Sequence, residues 1–200
     1  MANHRVELTW MGERVVTLAD LLRPQLRAVC VGINPSIVSV EAGHYYQGRA
    51  GQRFLARLCA AGLIGDADRG TEDDAAFASG VGFTDIVKRP TSSAKELRAE
   101  EYRHGRELLR EKLAQVRPRL AIFTYKTAAQ AMFGTFAGNG FVPGLAVADV
   151  PVFVMPGPNE SKETAEPTLA SLAQAVRGFG VFNGLYEPSY LDRLRACERA

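Results

Sequence analysis

Four short apolar runs recur along the chain: Ala28 to Ile33 (AVCVGI), Gly82 to Val87 (GFTDIV), Leu120 to Thr124 (LAIFT) and Val152 to Met155 (VFVM). A strand apolar at nearly every position is covered on both faces, the signature of a parallel sheet buried between helices. The segments between the runs have helical period. Gln52 to Leu63 places Phe54, Leu55, Leu58, Cys59 and Leu63 on one side, and Ser93 to Val116, Thr127 to Phe133 and Pro167 to Val176 follow. Pro167 stands early in the last segment, where a missing N–H costs least. This alternation predicts an α/β fold: a single domain with a central, mainly parallel β-sheet flanked by helices. Two segments stand outside the pattern, a polar and aromatic loop over 36–50 and an acidic excursion over 65–80, expected as a surface loop or short polar helix.

With 200 residues, 46% hydrophobic and 23% charged, there is apolar material for one substantial core, so residues 1–200 are expected to form one domain. No apolar run approaches the ~18 residues of a membrane span, and the start MANHRVELTW lacks the basic-then-apolar pattern of a signal peptide. A cytoplasmic protein without membrane contact is the expectation. A net charge of +2 neither announces nor excludes nucleic acid, because a basic strip can be offset by acidic surface elsewhere. Three scattered cysteines do not make a four-cysteine iron–sulfur site.

In open parallel sheets ligands gather at the carboxyl ends of the strands. The turn after the first run carries Gly32-Ile33-Asn34-Pro35-Ser36 and leads to His44, Tyr45 and Tyr46. The turn after the last carries Gly157, Asn159, Ser161 and Lys162. Alone, each is a structural turn as readily as a site, since Asn, Gly and Pro are turn formers. Lys88 and Arg89 follow the second run and are candidates for phosphate contacts.

The stretch GINPS followed by AGHYYQGRAGQRFLARL resembles the uracil-DNA glycosylase superfamily, and within it the mismatch-specific thymine/uracil branch, whose first motif begins GINPG. TLADLL before the first strand, GFTDIVKRPT at 82–91, PRLAIF and VFVMP fall in that family's order, so the resemblance runs from about Thr17 to Val176. It implies a three-layer α/β/α fold, DNA containing uracil or a mismatch as partner, action as a monomer, and no metal, nucleotide or redox cofactor. It implies a monofunctional glycosylase of base-excision repair that hydrolyses the N-glycosidic bond of uracil and leaves an abasic site. Asn34 occupies the catalytic position; an amide has no proton to exchange near neutrality, so it can only hold the attacking water. A flipped base would stack on Tyr46 beside Tyr45, with backbone N–H groups near Ile33 and Tyr46 as donors and Gln52 and Asn159 as further reading groups. Lys88, Arg89, Gly157, Ser161 and Lys162 would meet the DNA backbone.

The chain departs from the family at Ser36 (usually glycine), Gln52 (usually asparagine) and Leu55 (commonly tryptophan). The last motif, GPNESKE, departs more: Ser161 stands near the position of the side chain that fills the gap left by the flipped base, and it is short. Weak wedging favours G·U pairs or single-stranded uracil. Two alternatives stay open, the same scaffold acting on another deaminated base such as hypoxanthine or xanthine, and a non-catalytic binder of flipped or single-stranded bases.

Overall fold

The computed structural model describes residues 3–135 and 138–178. It opens on a hairpin that the runs above do not include: β1 (Arg5–Trp10) pairs antiparallel with β2 (Glu13–Leu18), Trp10 facing Glu13. Met11 and Gly12 both hold positive φ, 51° and 87°, giving the two-residue turn whose twist matches a hairpin.

The main sheet contains β3 (Ala28–Gly32), β4 (Val81–Asp85), β5 (Ala121–Phe123), β6 (Gly140–Val147) and β7 (Val150–Val154), in the order β4-β3-β5-β7-β6. The four expected strands are present and mutually parallel where they pair, β3 beside both β4 and β5, and β5 beside β7. β6 is an antiparallel edge strand that the sequence reading did not foresee. Its GFVPGLAV carries two glycines and a proline, and the register shifts between Phe141 and Ala146, as befits an edge.

Alternation along these strands sorts the core into two halves. Ala28, Cys30, Phe83, Ile122 and Phe153 face a layer built from α2 (Arg49–Ala60), α3 (Glu72–Ala78) and α6 (Lys162–Arg177). Val29, Val31, Phe123, Val152 and Val154 face α4 (Ala99–Val116) and α5 (Lys126–Phe133). Burial on both faces is why the strands read as continuous apolar runs. Gly105 brings α4 hard against the chain after β4, since a Cβ there would lie 2.0 Å from the Ile86 carbonyl oxygen.

Three segments differ in detail from the sequence reading. The 36–50 loop contains a short helix, α1 (Ile37–Ala42), whose N-cap Ser36 accepts from the Ser39 N–H and holds φ −76°. Serine is therefore unstrained where relatives carry glycine. The 93–116 segment breaks into a 3₁₀ turn, Ala94–Glu96, and α4, because Ser93 and Glu96 close a capping box of their own. The last helix begins at Lys162, five residues before Pro167. Among the described residues no helix is long and apolar enough to cross a membrane.

Candidate active site

Register positions the site. Gly32 and Asp85 are partners across the parallel β3–β4 pair. The two chains stay parallel beyond the strand ends, with the Ile86 N–H donating to Gly32 O (3.0 Å), Val87 to Ile33 O (2.8 Å) and Thr91 to Pro35 O (3.3 Å). The Asn34 amide lies between them. Its Nδ2 donates to Arg89 O (2.9 Å), Thr91 Oγ1 (2.8 Å) and, at longer range, Pro35 O (3.3 Å). The Thr91 hydroxyl gives its own proton to Ser93 O at 2.9 Å, so toward Asn34 it accepts. Three acceptors around one atom identify it as the amide nitrogen. Asn34 Oδ1 is left with no protein donor among the described residues.

Asn34 lines a cavity of about 380 Å³ at the carboxyl ends of β3, β4 and β5, closed on one side by the start of α2. Ile33, Tyr45 and Tyr46 line it too, so the structure brings together four of the residues singled out in the sequence. Tyr46 holds φ 61°, and Gly51 leaves room for it: a Cβ on Gly51 would lie 2.4 Å from Tyr46 O. Its ring is tilted against Phe54 (centroids 4.8 Å) and edge-on to Phe83 (5.9 Å), and its hydroxyl meets Thr124 Oγ1 at 2.7 Å. Tyr45 is buried more deeply. It stacks on Phe83 at 5.4 Å and donates its hydroxyl to Ala19 O at 3.0 Å, so it supports the wall without offering a free face.

Other placements differ from expectation. Gln52 and Asn159 are not among the residues lining the cavity. Gln52 Nε2 is 3.4 Å from Tyr46 O, and Asn159 Oδ1 accepts from Arg53 at 3.3 Å. The loop after β7 is held to α2 by Arg53, which donates to Pro158 O (2.8 Å), and by Arg57, which donates to Gly157 O (2.9 Å). Glu160 accepts from the Gly157 N–H and from Asn139, so its carboxylate is engaged within the loop. Ser161 caps α6, accepting from the Thr164 N–H, and Lys162 is the exposed first residue of that helix.

Lys88 and Arg89 require correction. Lys88 is buried, with Nζ 2.6 Å from Asp20 Oδ1 and 3.0 Å from Leu18 O. Burial alone would raise the Asp20 pKa, but Lys88 and Lys112 together hold it below the usual value. Arg89 forms a two-pronged bond to the sealed carboxylate of Glu101 (2.9 and 2.8 Å), and that bond pulls the Glu101 pKa down to about 2. Lys88 is committed inside the protein, and Arg89, a quarter exposed, is tied at the surface to Glu101. The basic side chain that lines the cavity is the exposed Arg49, at the first turn of α2. It sits in a polar loop-to-helix stretch with no run of basic residues to mark it.

The sequence also concealed Asp85. Only 3% exposed, it lines the cavity, and its Oδ2 has no hydrogen-bond partner. Burial pushes its pKa up to about 7, against a partial opposing pull from Lys88. An acid inside an otherwise apolar strand was the signal. Tyr125 is a second concealed aromatic on the cavity wall; it holds φ 76°, and its hydroxyl donates to Ala50 O. α2 and α5 begin here without side-chain caps, so their first N–H groups favour negative charge in the cavity.

The uracil DNA glycosylase superfamily pattern matches residues 19–195. The chain belongs to this superfamily. Among curated proteins, the G/U mismatch-specific uracil DNA glycosylase of Schizosaccharomyces pombe is 36% identical over 98 residues. That segment is 48% of this glycosylase-superfamily chain and 30% of the relative, so the chain spans well under two thirds of the relative's length.

Proposed function

We propose that the chain is a monofunctional DNA glycosylase that hydrolyses the N-glycosidic bond of uracil, with G·U mispairs as the favoured substrate. The observation that carries this is the Asn34 amide: its nitrogen is pinned by Arg89 O and Thr91 Oγ1, and its oxygen is left without a protein donor on a cavity wall. That oxygen would accept a hydrogen bond from a water and aim it at the anomeric carbon of a nucleotide flipped from the duplex. The water oxygen bonds to C1′ while the C1′–N1 bond breaks, its electron pair leaves with the base, and the water's proton passes to solvent.

The leaving base carries the negative charge, so groups that favour an anion matter most. The uncapped N–H groups of α2 and α5 supply part of this. Asp85, when protonated, can donate to a pyrimidine carbonyl, a hydrogen bond that strengthens as charge builds on the base. Tyr46 would back the base plane, and Arg49 would meet a phosphate at the rim. Preference for G·U over stable pairs is supported by the relative's name and by the loop after β7, which offers no large apolar side chain to wedge into the stack.

The test is chromatographic measurement of free base released from duplexes holding uracil, hypoxanthine, xanthine or thymine opposite guanine, and from single-stranded uracil DNA. Uracil release from G·U above the other substrates supports the proposal. Faster release of a purine would reassign the substrate, and tight binding with no product from any of them would make the protein a binder.

A further inference from the structure

We propose that His4, His44, Asp73 and Asp74 form a structural zinc site that clips the N-terminal arm and the start of α3 to the loop carrying Tyr45 and Tyr46. The four side chains come from three segments distant in sequence. His44 Nδ1 is 2.8 Å from Asp73 Oδ1, His4 Nε2 is 2.8 Å from Asp74 Oδ1 and 3.8 Å from Asp73 Oδ2. One donor atom from each residue lies within 4.8 Å of all the others. Zinc bound tetrahedrally at ~2.0–2.1 Å holds neighbouring donors roughly 3.3 Å apart, within reach of this arrangement by side-chain rotation.

Charge points the same way. Asp73 is fully buried, Asp74 is half-buried beside it, and no lysine or arginine among the described residues lies within ion-pair distance of either. Two carboxylates lie side by side with the two imidazoles as their side-chain partners, and a divalent ion between the four donors would neutralise both. Two nitrogens and two carboxylate oxygens suit zinc better than calcium or magnesium, which take oxygen alone, or copper(I), which prefers sulfur.

The surroundings hold the donors in place. Asp73 accepts from the Tyr45 N–H (2.7 Å) and the Asp74 N–H (3.1 Å), orienting its carboxylate as outer contacts do around metal ligands. His4 is anchored by its backbone, donating to Gly43 O (2.9 Å) and accepting from the Ala19 N–H (2.8 Å), and its ring stands edge-on to His44 at 5.3 Å. The expectation of no metal came from the family resemblance, and the sequence carries no local ligand motif to set against it. Positions 4, 44 and 73–74 are too far apart to make one. The ion would lie behind the cavity wall and take no part in bond cleavage.

Tag-free, full-length chain treated with a chelator should bind one Zn²⁺ by calorimetry and melt at a higher temperature with zinc present. Co²⁺ should give the intense visible absorption of a tetrahedral site. His4→Ala and Asp74→Asn, both at partly exposed residues and checked for folding by circular dichroism, should each weaken zinc binding by about 100-fold or more. Failure of the folded wild type to bind zinc stoichiometrically, a weak octahedral cobalt spectrum, or unchanged binding in both variants would overturn the proposal and leave two ordinary His–Asp pairs.

Discussion

A methyl group on Gly32 would lie 2.0 Å from Asp85 Oδ1, so the absence of a side chain on β3 is what lets a carboxylate occupy the neighbouring strand's place in the cavity. The two residues are register partners, and neither can change without the other feeling it. Gly32→Ala should destabilise the protein by about 1–3 kcal/mol, the usual range for overpacking. Asp85→Ala should remove the clash, so the double variant should be more stable than additivity of the two single changes allows. Urea denaturation of the four proteins measures this, and strict additivity would mean that the contact is relieved elsewhere.

Asp85 also makes stability depend on pH. Its folded pKa, about 7, stands above the value of an unfolded aspartate, about 3.9, so the folded state holds the proton more tightly. The stability this contributes is fully present below pH 4 and is lost as pH rises through 7. Asp85→Asn, which mimics the neutral acid, should therefore match wild type near pH 4 and exceed it by up to about 4 kcal/mol at pH 8. Melting curves across that range decide it. An asparagine variant that is less stable at pH 8 would show that the carboxylate is ionised and compensated.

The three basic residues near the site should separate by phenotype. Arg89→Ala takes the two-pronged partner from the Glu101 carboxylate, which keeps the Arg98 N–H (3.0 Å) and the longer Arg98 guanidinium contact (3.4 Å), and should cost about 1–3 kcal/mol of stability. Lys88→Ala should act likewise through Asp20, which keeps its Lys112 partner at 2.7 Å. Neither should change the salt dependence of DNA binding once the protein is folded. Arg49→Ala should leave stability within about 0.5 kcal/mol, as surface changes do, and lower the salt slope of binding by about 0.9. Titrations at several salt concentrations would expose a reversed assignment.

The fold was legible where burial acts on both faces of a strand. AVCVGI, GFTDIV, LAIFT and VFVM could hardly be anything but core strands, and the helices between them followed from period. The β1–β2 hairpin was legible in principle, since Val6, Leu8 and Trp10 alternate and Met11-Gly12 makes a turn, but one wet face gives a fainter pattern than a continuous run. In the site, Asn34 and Tyr46 were marked by motif. Asp85 was hidden because an apolar strand diverts attention from the one acid in it, and Lys88 was misplaced because a lysine's sequence position does not tell whether a buried aspartate will claim it. Arg53 and Arg57 lie on the first expected helix, yet nothing in their spacing reveals that they grip the loop after β7.

The central claim is that Asn34 holds the water that cleaves the glycosidic bond. Its most direct test is single-turnover incubation of wild type and Asn34→Ala with a G·U duplex, followed by alkali to cut abasic sites. Wild type should yield cut strands, and Asn34→Ala should bind the duplex within about threefold of wild type while reacting at least about 100-fold more slowly, as loss of one positioning group in a preorganised site does. Uncut strands from wild type, or equal rates for the two proteins, would contradict it.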